Sequence, residues 1–391
     1  MAAQGRQLSR RPCPYKTEEE IFKLLRTPLA ADHLARGAPL AAYHGAEVPA
    51  RFGDSQVEHQ AVRQSAGLFD FSFRSKLVLT GEARARFLHR IVSNDVKSLL
   101  PGQGTYATLL NAQGHILADL RIYAAEDVLW VDTDADLAEK AMAVLRRYII
   151  GERVEIEPRQ VFAVSVQGPR SREFIEKLLQ TGLGSLTREM DHQTAEFAGQ
   201  QMRVVRLSST GEEGYEVWLQ AESLGRLWRA ALAANAASGL APAGTEALET
   251  LRIEAGIPRY GPDFGEDTLP LEAGLLQALS FTKGCYIGQE IVERARSRGH
   301  VNWKLVGLAL QPGASVPEPG RSLTADGKTV IEVTSACYSP TFGRPLALAY
   351  VRREVSAPGV RLTLAGGAEA EVTALPFSLP SRLTPAAAPH V

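Results

Sequence analysis

Cysteine is scarce in this chain: 391 residues hold three, Cys13, Cys285 and Cys337. So few, in odd number, argue against a disulfide framework and for a reducing compartment. No C-x-x-C spacing occurs, so a metal or iron–sulfur centre held wholly by clustered thiolates is not expected, although one cysteine could contribute to a shared or transient site. A run of about 18 apolar residues is also missing, and with it any helical membrane span. Neither sign of charge dominates. With 43 basic against 44 acidic residues the formal net charge is −1, which offers no global attraction to nucleic acid or to an anionic membrane surface. Direct nucleic-acid binding is not expected, and only a local basic groove stays open. A secretory signal is absent. The first sixteen residues, MAAQGRQLSRRPCPYK, lack acid in the manner of a mitochondrial presequence, but they are short and Thr17-Glu18-Glu19-Glu20 follows at once. They are taken as a flexible leader on a cytoplasmic protein, with a mitochondrial location as the alternative.

What is present is ordinary for a globular protein: 45% hydrophobic and 22% charged residues, in a length that suits two or three domains. Residues 1–45, with a short helix over Glu18 to Leu25 and an Ala/Gly/Pro-rich passage behind it, read as a flexible extension. From Lys76 the pattern is regular. Strands are expected at Lys76 to Gly81, Tyr106 to Leu110, Ile116 to Tyr123 and Val128 to Thr133, with helices at Ala83 to Ile91 and Asp136 to Ile149. A second cycle has strands at Val161 to Val166, Met202 to Leu207 and Tyr215 to Leu219, then a helix with Leu224, Leu227, Trp228, Ala231 and Leu232 on one face. Residues 46–300 are therefore expected to form two α+β halves with antiparallel sheets. After Trp303 only short strands recur between prolines and glycines, which predicts a small β-barrel over 301–380 and a tail over 381–391.

The residues that point to chemistry form a few groups. Lys283-Gly284-Cys285-Tyr286-Ile287-Gly288-Gln289-Glu290 sets a thiol in a glycine-bracketed turn, where Lys283 favours a thiolate at Cys285 if that thiol is exposed. The alternative is a tight connection with a small buried cysteine. Asp95, in Ser93-Asn94-Asp95-Val96, occupies a loop from which a carboxylate can enter a cleft or simply cap a turn. Glu216 follows a glycine-rich run, Thr210 to Tyr215, and read alone is a polar residue on the outer face of a strand. Arg252 and Glu254 share a predicted helix, either as a structural pair or, for Arg252, as an anion contact.

These segments carry a resemblance. The octet resembles the K-G-C-Y-x-G-Q-E signature of the YgfZ-type folate-binding proteins, relatives of the glycine-cleavage T-protein, an aminomethyltransferase. Thr210 to Glu216 looks like the T-G-E-D-G-Y-E of T-proteins. Leu251 to Gly256 looks like their L-R-L-E-A-G, and Val333 to Pro340 like their V-T-S-G-x-x-S-P, with Ala336 in place of the glycine. The likeness extends from Phe52 to Phe377. It implies a T-protein-like α+β body with a C-terminal β-barrel, and tetrahydrofolate or a derivative as cofactor. It further implies Asp95 beside the reactive edge of the folate, Glu216 on the pterin, Arg252 near the folate's glutamate tail and Cys285 as a functional thiol.

Two departures bear on activity. Leu248 stands where T-proteins usually carry an arginine, and no tyrosine follows Leu375-Pro376-Phe377. With the octet, they favour a folate-binding accessory protein of iron–sulfur cluster assembly or maintenance and dependent tRNA modification, whose partners would be folate and iron–sulfur assembly or client proteins. The alternatives are a glycine-cleavage-type aminomethyltransferase producing methylene-tetrahydrofolate and a non-catalytic scaffold.

Overall fold

The computed structural model describes residues 24–377 apart from 236–237, 298, 300, 326–327 and 365–367. The expected leader, the greater part of the Glu18 to Leu25 helix and the tail over 381–391 lie outside the described residues. The first half is a five-stranded antiparallel sheet in the spatial order Gly104–Leu110, Ile116–Ala124, Leu129–Asp134, Arg74–Thr80, Glu155–Arg159. The second is a six-stranded sheet ordered His192–Phe197, Gln200–Arg206, Gly214–Leu219, Phe162–Gln167, Ala66–Asp70, Leu240–Pro242, antiparallel except for the last pair.

Strand alternation gives each sheet two different faces. Leu77 and Leu79 enter one core with Phe87, Leu88 and Ile91 of the Arg84–Ile91 helix and Leu137, Ala141 and Leu145 of the Ala135–Arg147 helix. Tyr215, Val217 and Leu219 enter another with Leu224, Leu227 and Trp228 of the Ala221–Asn235 helix. The opposite faces meet one another through Phe69, Phe71, Phe73, Tyr123 and Trp218, and the Tyr123 and Trp218 rings meet edge to face at 5.0 Å. The expected α+β halves are thus present. Among the described residues no helix is long and apolar enough to cross a membrane.

Residues 24–45, expected within a flexible extension, are folded instead. Leu25–Arg26, Ala46–Pro49 and Leu40–Tyr43 form a three-stranded sheet. Leu29 and His33 are fully buried, and His33 Nε2 lies 2.9 Å from Asp70 Oδ2. The Ala/Gly/Pro-rich composition concealed this because small residues pack against a neighbouring sheet without a visible period.

The C-terminal strands Trp303–Leu310, Ser322–Ala325, Lys328–Ser339, Arg344–Arg352, Arg361–Thr363 and Glu369–Thr373 form a six-stranded antiparallel unit around Leu308, Ile331, Ala349 and Val372. Glu254, at the end of the Thr245–Glu254 helix, ties it to the body. It accepts from His59 at 2.8 Å, Arg63 at 2.6 Å, Thr341 at 3.1 Å and from Ser339. Burial works to raise this carboxyl's pKa, but the bonds from His59, Ser339 and Arg63 outweigh it and hold the group at about 2.

Within the octet, Lys283 and Gly288 have structural roles. Lys283 is buried, and its ammonium donates to the carbonyls of His89, Val92 (2.6 Å) and Asn94 (2.8 Å), closing the end of the Arg84–Ile91 helix. It faces those carbonyls, where it was expected to stabilise a thiolate, and desolvation by burial lowers its pKa to about 8. Cys285 is exposed. Of the two glycines, Gly288 has the structural demand: its φ is +81°, and a Cβ there would lie 2.6 Å from the Asn111 carbonyl oxygen, whereas a Cβ on Gly284 would meet nothing within 4 Å. Tyr286 packs with Phe264 and Val292, while Gln289 and Glu290 open the Gln289–Ser297 helix.

Two outcomes follow from these anchors. Glu254→Ala should cost about 3–5 kcal/mol in urea unfolding, because it strands buried donors. The wild-type contribution should be fully present above the ordinary glutamate value of about 4.3 and be lost as pH falls through the folded value near 2. Lys283→Met should cost about 2–3 kcal/mol by leaving helix-end carbonyls unpaired, while Cys285→Ser should stay within about 0.5 kcal/mol.

Candidate functional site

Where the two sheets face each other, their alternation brings charged residues together. Arg74 and Lys76, Asp119 and Arg121, Asp132 and Asp134, and Glu216 with Trp218 occupy matching phases on four strands. Arg74 binds Asp132 Oδ2 at 2.8 Å and also Asp134, and Lys76 binds Asp132 Oδ1 at 2.7 Å while its Nζ sits 4.7 Å from the Trp218 ring centre. Arg121 bridges to Glu216 at 3.1 Å and lies 3.5 Å from Asp132. Trp218 Nε1 donates to the second Glu216 oxygen at 2.9 Å. Burial pushes the Asp132 carboxyl upward, but Arg74 and Lys76 more than reverse it and its pKa is lowered.

Beside this cluster lies a cleft open to solvent. Tyr43, Phe71, Phe73 and Tyr260 contribute aromatic rings to its lining, and Asp119, Arg121, Ser209, Leu248, Arg252 and Arg259 are also among the lining residues. Asp119 is the distinctive group. It is 8% exposed, Tyr106 donates to its Oδ2 at 3.1 Å, and its Oδ1 has no partner. Burial and the nearby Asp134 charge raise its pKa against the pull of Arg74 and Arg121, so this carboxyl keeps its proton to higher pH than an ordinary aspartate. A buried carboxyl with an open acceptor at an aromatic cleft can orient an amine, move a proton or balance a developing cation.

The residues singled out from sequence are distributed differently from expectation. Asp95 is not among the residues lining this cleft; it pairs with His89 at 3.0 Å and accepts from the Ser98 amide, which fits the turn-capping alternative. Glu216 is fully buried rather than on an outer strand face, and Arg121 and Trp218 occupy its oxygens. Arg252 lines the cleft, but its guanidinium binds Asp263 and Glu249, both at 2.7 Å, and Ser335 at 2.8 Å. Cys285 stands outside the cleft lining. Cys337 is a packed strand residue whose thiol is pushed by burial to about 12. Asp119 was missed, although the alternation through Asp119, Arg121 and Tyr123, in phase with Trp130, Asp132 and Asp134, was a readable sign of a buried polar face.

Among the described residues, His44, Asp134 and Asp136 lie close enough to share an ion. Asp134 is already held by Arg74 and by His44 at 2.9 Å, so the group is explained as the corner of an ion-pair cluster.

Residues 29–283 match the GCVT N-terminal domain, and residues 304–378 match the glycine cleavage T-protein C-terminal barrel domain. The chain is 36% identical over 367 residues to the aminomethyltransferase of Streptomyces coelicolor, covering 91% of this chain and 98% of that protein. It is 31% identical over 339 residues to the aminomethyltransferase of Bacillus subtilis, covering 86% and 93%. The crystal structure of glycine cleavage system aminomethyltransferase T from Bartonella henselae superposes with a TM-score of 0.83 at 26% identity, covering 91% of this chain and 98% of that one. These relatives overturn the expected accessory role in iron–sulfur assembly and tRNA modification, since the similarity to proteins named for aminomethyl transfer spans both domains. They support the T-protein superfamily and give the YgfZ branch no specific support. From the match over both domains and the aminomethyltransferase relatives, the chain belongs to the glycine cleavage T-protein family.

Proposed function

We propose that the protein is a folate-dependent aminomethyltransferase, which takes an aminomethyl group from the sulfur of a lipoyl arm and yields methylene-tetrahydrofolate, ammonia and the free dihydrolipoyl thiol. The observation that carries this reading is the buried Asp119 carboxyl with one unpartnered oxygen at an aromatic-lined cleft, in a chain similar over most of its length to aminomethyltransferases. Proteins of this family bind tetrahydrofolate or a derivative, and the donor set fits such a ligand. Tyr43, Phe73 and Tyr260 supply ring surface for a planar heterocycle, and Asp119 Oδ1 supplies a hydrogen-bonding position for its amines. Tetrahydrofolate, when bound, supplies the amine that accepts the one-carbon unit.

The protein's own part falls mainly to Asp119, which we assign in place of Asp95. Its charged form can balance positive charge developing at the transferred carbon, and its protonated form can return a proton to the departing amine. Tyr106, donating to Oδ2, fixes the carboxyl's rotation. Glu216 is assigned a supporting role through Arg121, which lines the cleft, and Arg252 a role in holding the cleft wall to the barrel.

With an aminomethyl-loaded lipoyl carrier protein and tetrahydrofolate, Asp119→Asn should lower turnover about 10²- to 10⁴-fold, while Asp95→Asn should retain most of it. The acid limb of wild-type kcat/KM should lie above the ordinary aspartate value of about 3.9, because this group's pKa is raised, and it should disappear in Asp119→Asn. Folate binding without turnover would overturn the transferase reading. Neither binding nor turnover would favour the scaffold.

A further inference from the structure

Three buried polar atoms without hydrogen-bond partners belong to residues of this one cleft: Asp119 Oδ1, Ser209 Oγ and Arg259 Nε. Buried groups of this kind are normally satisfied, so three of them on residues of one cleft point to a polar ligand there. Arg259 differs from the other cleft arginines. Arg74, Arg121 and Arg252 each bind at least one carboxylate within 3.1 Å. Arg259 approaches Glu249 only to 3.5 Å through Nη2, and its Nη1 lies 3.3 Å from His44 Nε2. Its position comes instead from the Tyr43 ring, whose centre is 4.8 Å from the guanidinium carbon, and from its own amide, which donates to Asp263 at 2.9 Å. Among the described residues, the edge formed by Nε and Nη2, which suits two-pronged recognition of a carboxylate, makes no hydrogen bond and only the long ion pair to Glu249.

The acids around that edge have closer partners elsewhere. Glu249 binds Arg252 and Tyr43, both at 2.7 Å, and Asp134 is held by Arg74 and His44. Ser209 is fixed through its amide, which donates to Gln167 at 2.9 Å, leaving its hydroxyl to donate elsewhere.

We propose that Arg259 and Ser209 form a carboxylate-binding subsite of the cleft, for a small ligand that also carries an amine. Two sources share this chemistry: the glutamyl tail of a folate, which rests on the reading above, and the acid group of a free N-methylated amino acid, which does not.

Calorimetry and ligand-observed NMR on the full chain distinguish them with two pairs of probes, tetrahydrofolate against 6-methyltetrahydropterin and N-methylglycine against methylamine. Arg259→Gln should weaken the carboxylate-bearing member of one pair by roughly tenfold or more and leave its carboxylate-free partner unchanged. The affected pair identifies the source. Arg259→Lys, which keeps the charge but loses the fork, should recover only part of the affinity, and unchanged thermal melting shows that the variants fold. Wild-type affinity of Arg259→Gln for both acids overturns the subsite and leaves the folate reading intact. Failure of the wild type to bind tetrahydrofolate overturns the folate reading, and the subsite then stands or falls on N-methylglycine; binding of neither acid overturns it.

Discussion

The two halves meet face to face through an aromatic core and the Arg121–Glu216 ion pair, and that pair draws on a charge cluster inside the first sheet. Asp132, fully buried, is shared by Arg74 and Lys76, and Arg121 links the first sheet to Glu216 of the second. Such charges are stable away from water only if each one keeps its partners. The sheets therefore have one well-satisfied mutual placement, and the cleft beside them has a shape set before any ligand arrives. A site of this kind loses little free energy to reordering on binding.

The same cluster explains the electrostatics of the candidate carboxyl. Asp119 lies beside Asp134 and beyond the closest reach of the arginines, so burial and like charge raise its pKa, while Asp132 on the neighbouring strand is pulled in the opposite direction. Two aspartates on neighbouring strands thus take opposite protonation behaviour from their partners alone.

Much of the scaffold was legible in the residues, because helix faces such as Leu137, Ala141 and Leu145 and strands such as Tyr215 to Leu219 keep their periods. The site was less so. Asp95 was singled out by its resemblance to the T-protein aspartate, in a loop setting that is also where aspartates cap turns. Asp119 sits inside a strand, where only the phase it shares with Arg121 separates a buried polar face from a solvated one. Glu216 was marked by its motif, but nothing local indicates that Arg121, distant in sequence, occupies it. The leading expectation of an accessory role leaned on the octet, whose lysine proves to serve carbonyls that no linear pattern places nearby.

The Thr245–Glu254 helix ends in the barrel through Glu254 and lines the cleft through Leu248 and Arg252. Arg252 spans both, touching Ser335 of a barrel strand from behind the cleft wall. The C-terminal unit contributes no residue to the cleft lining, yet it braces one side of it. It behaves as a buttress: drift in its sequence can retune the chamber's width without altering a single group that a ligand would meet.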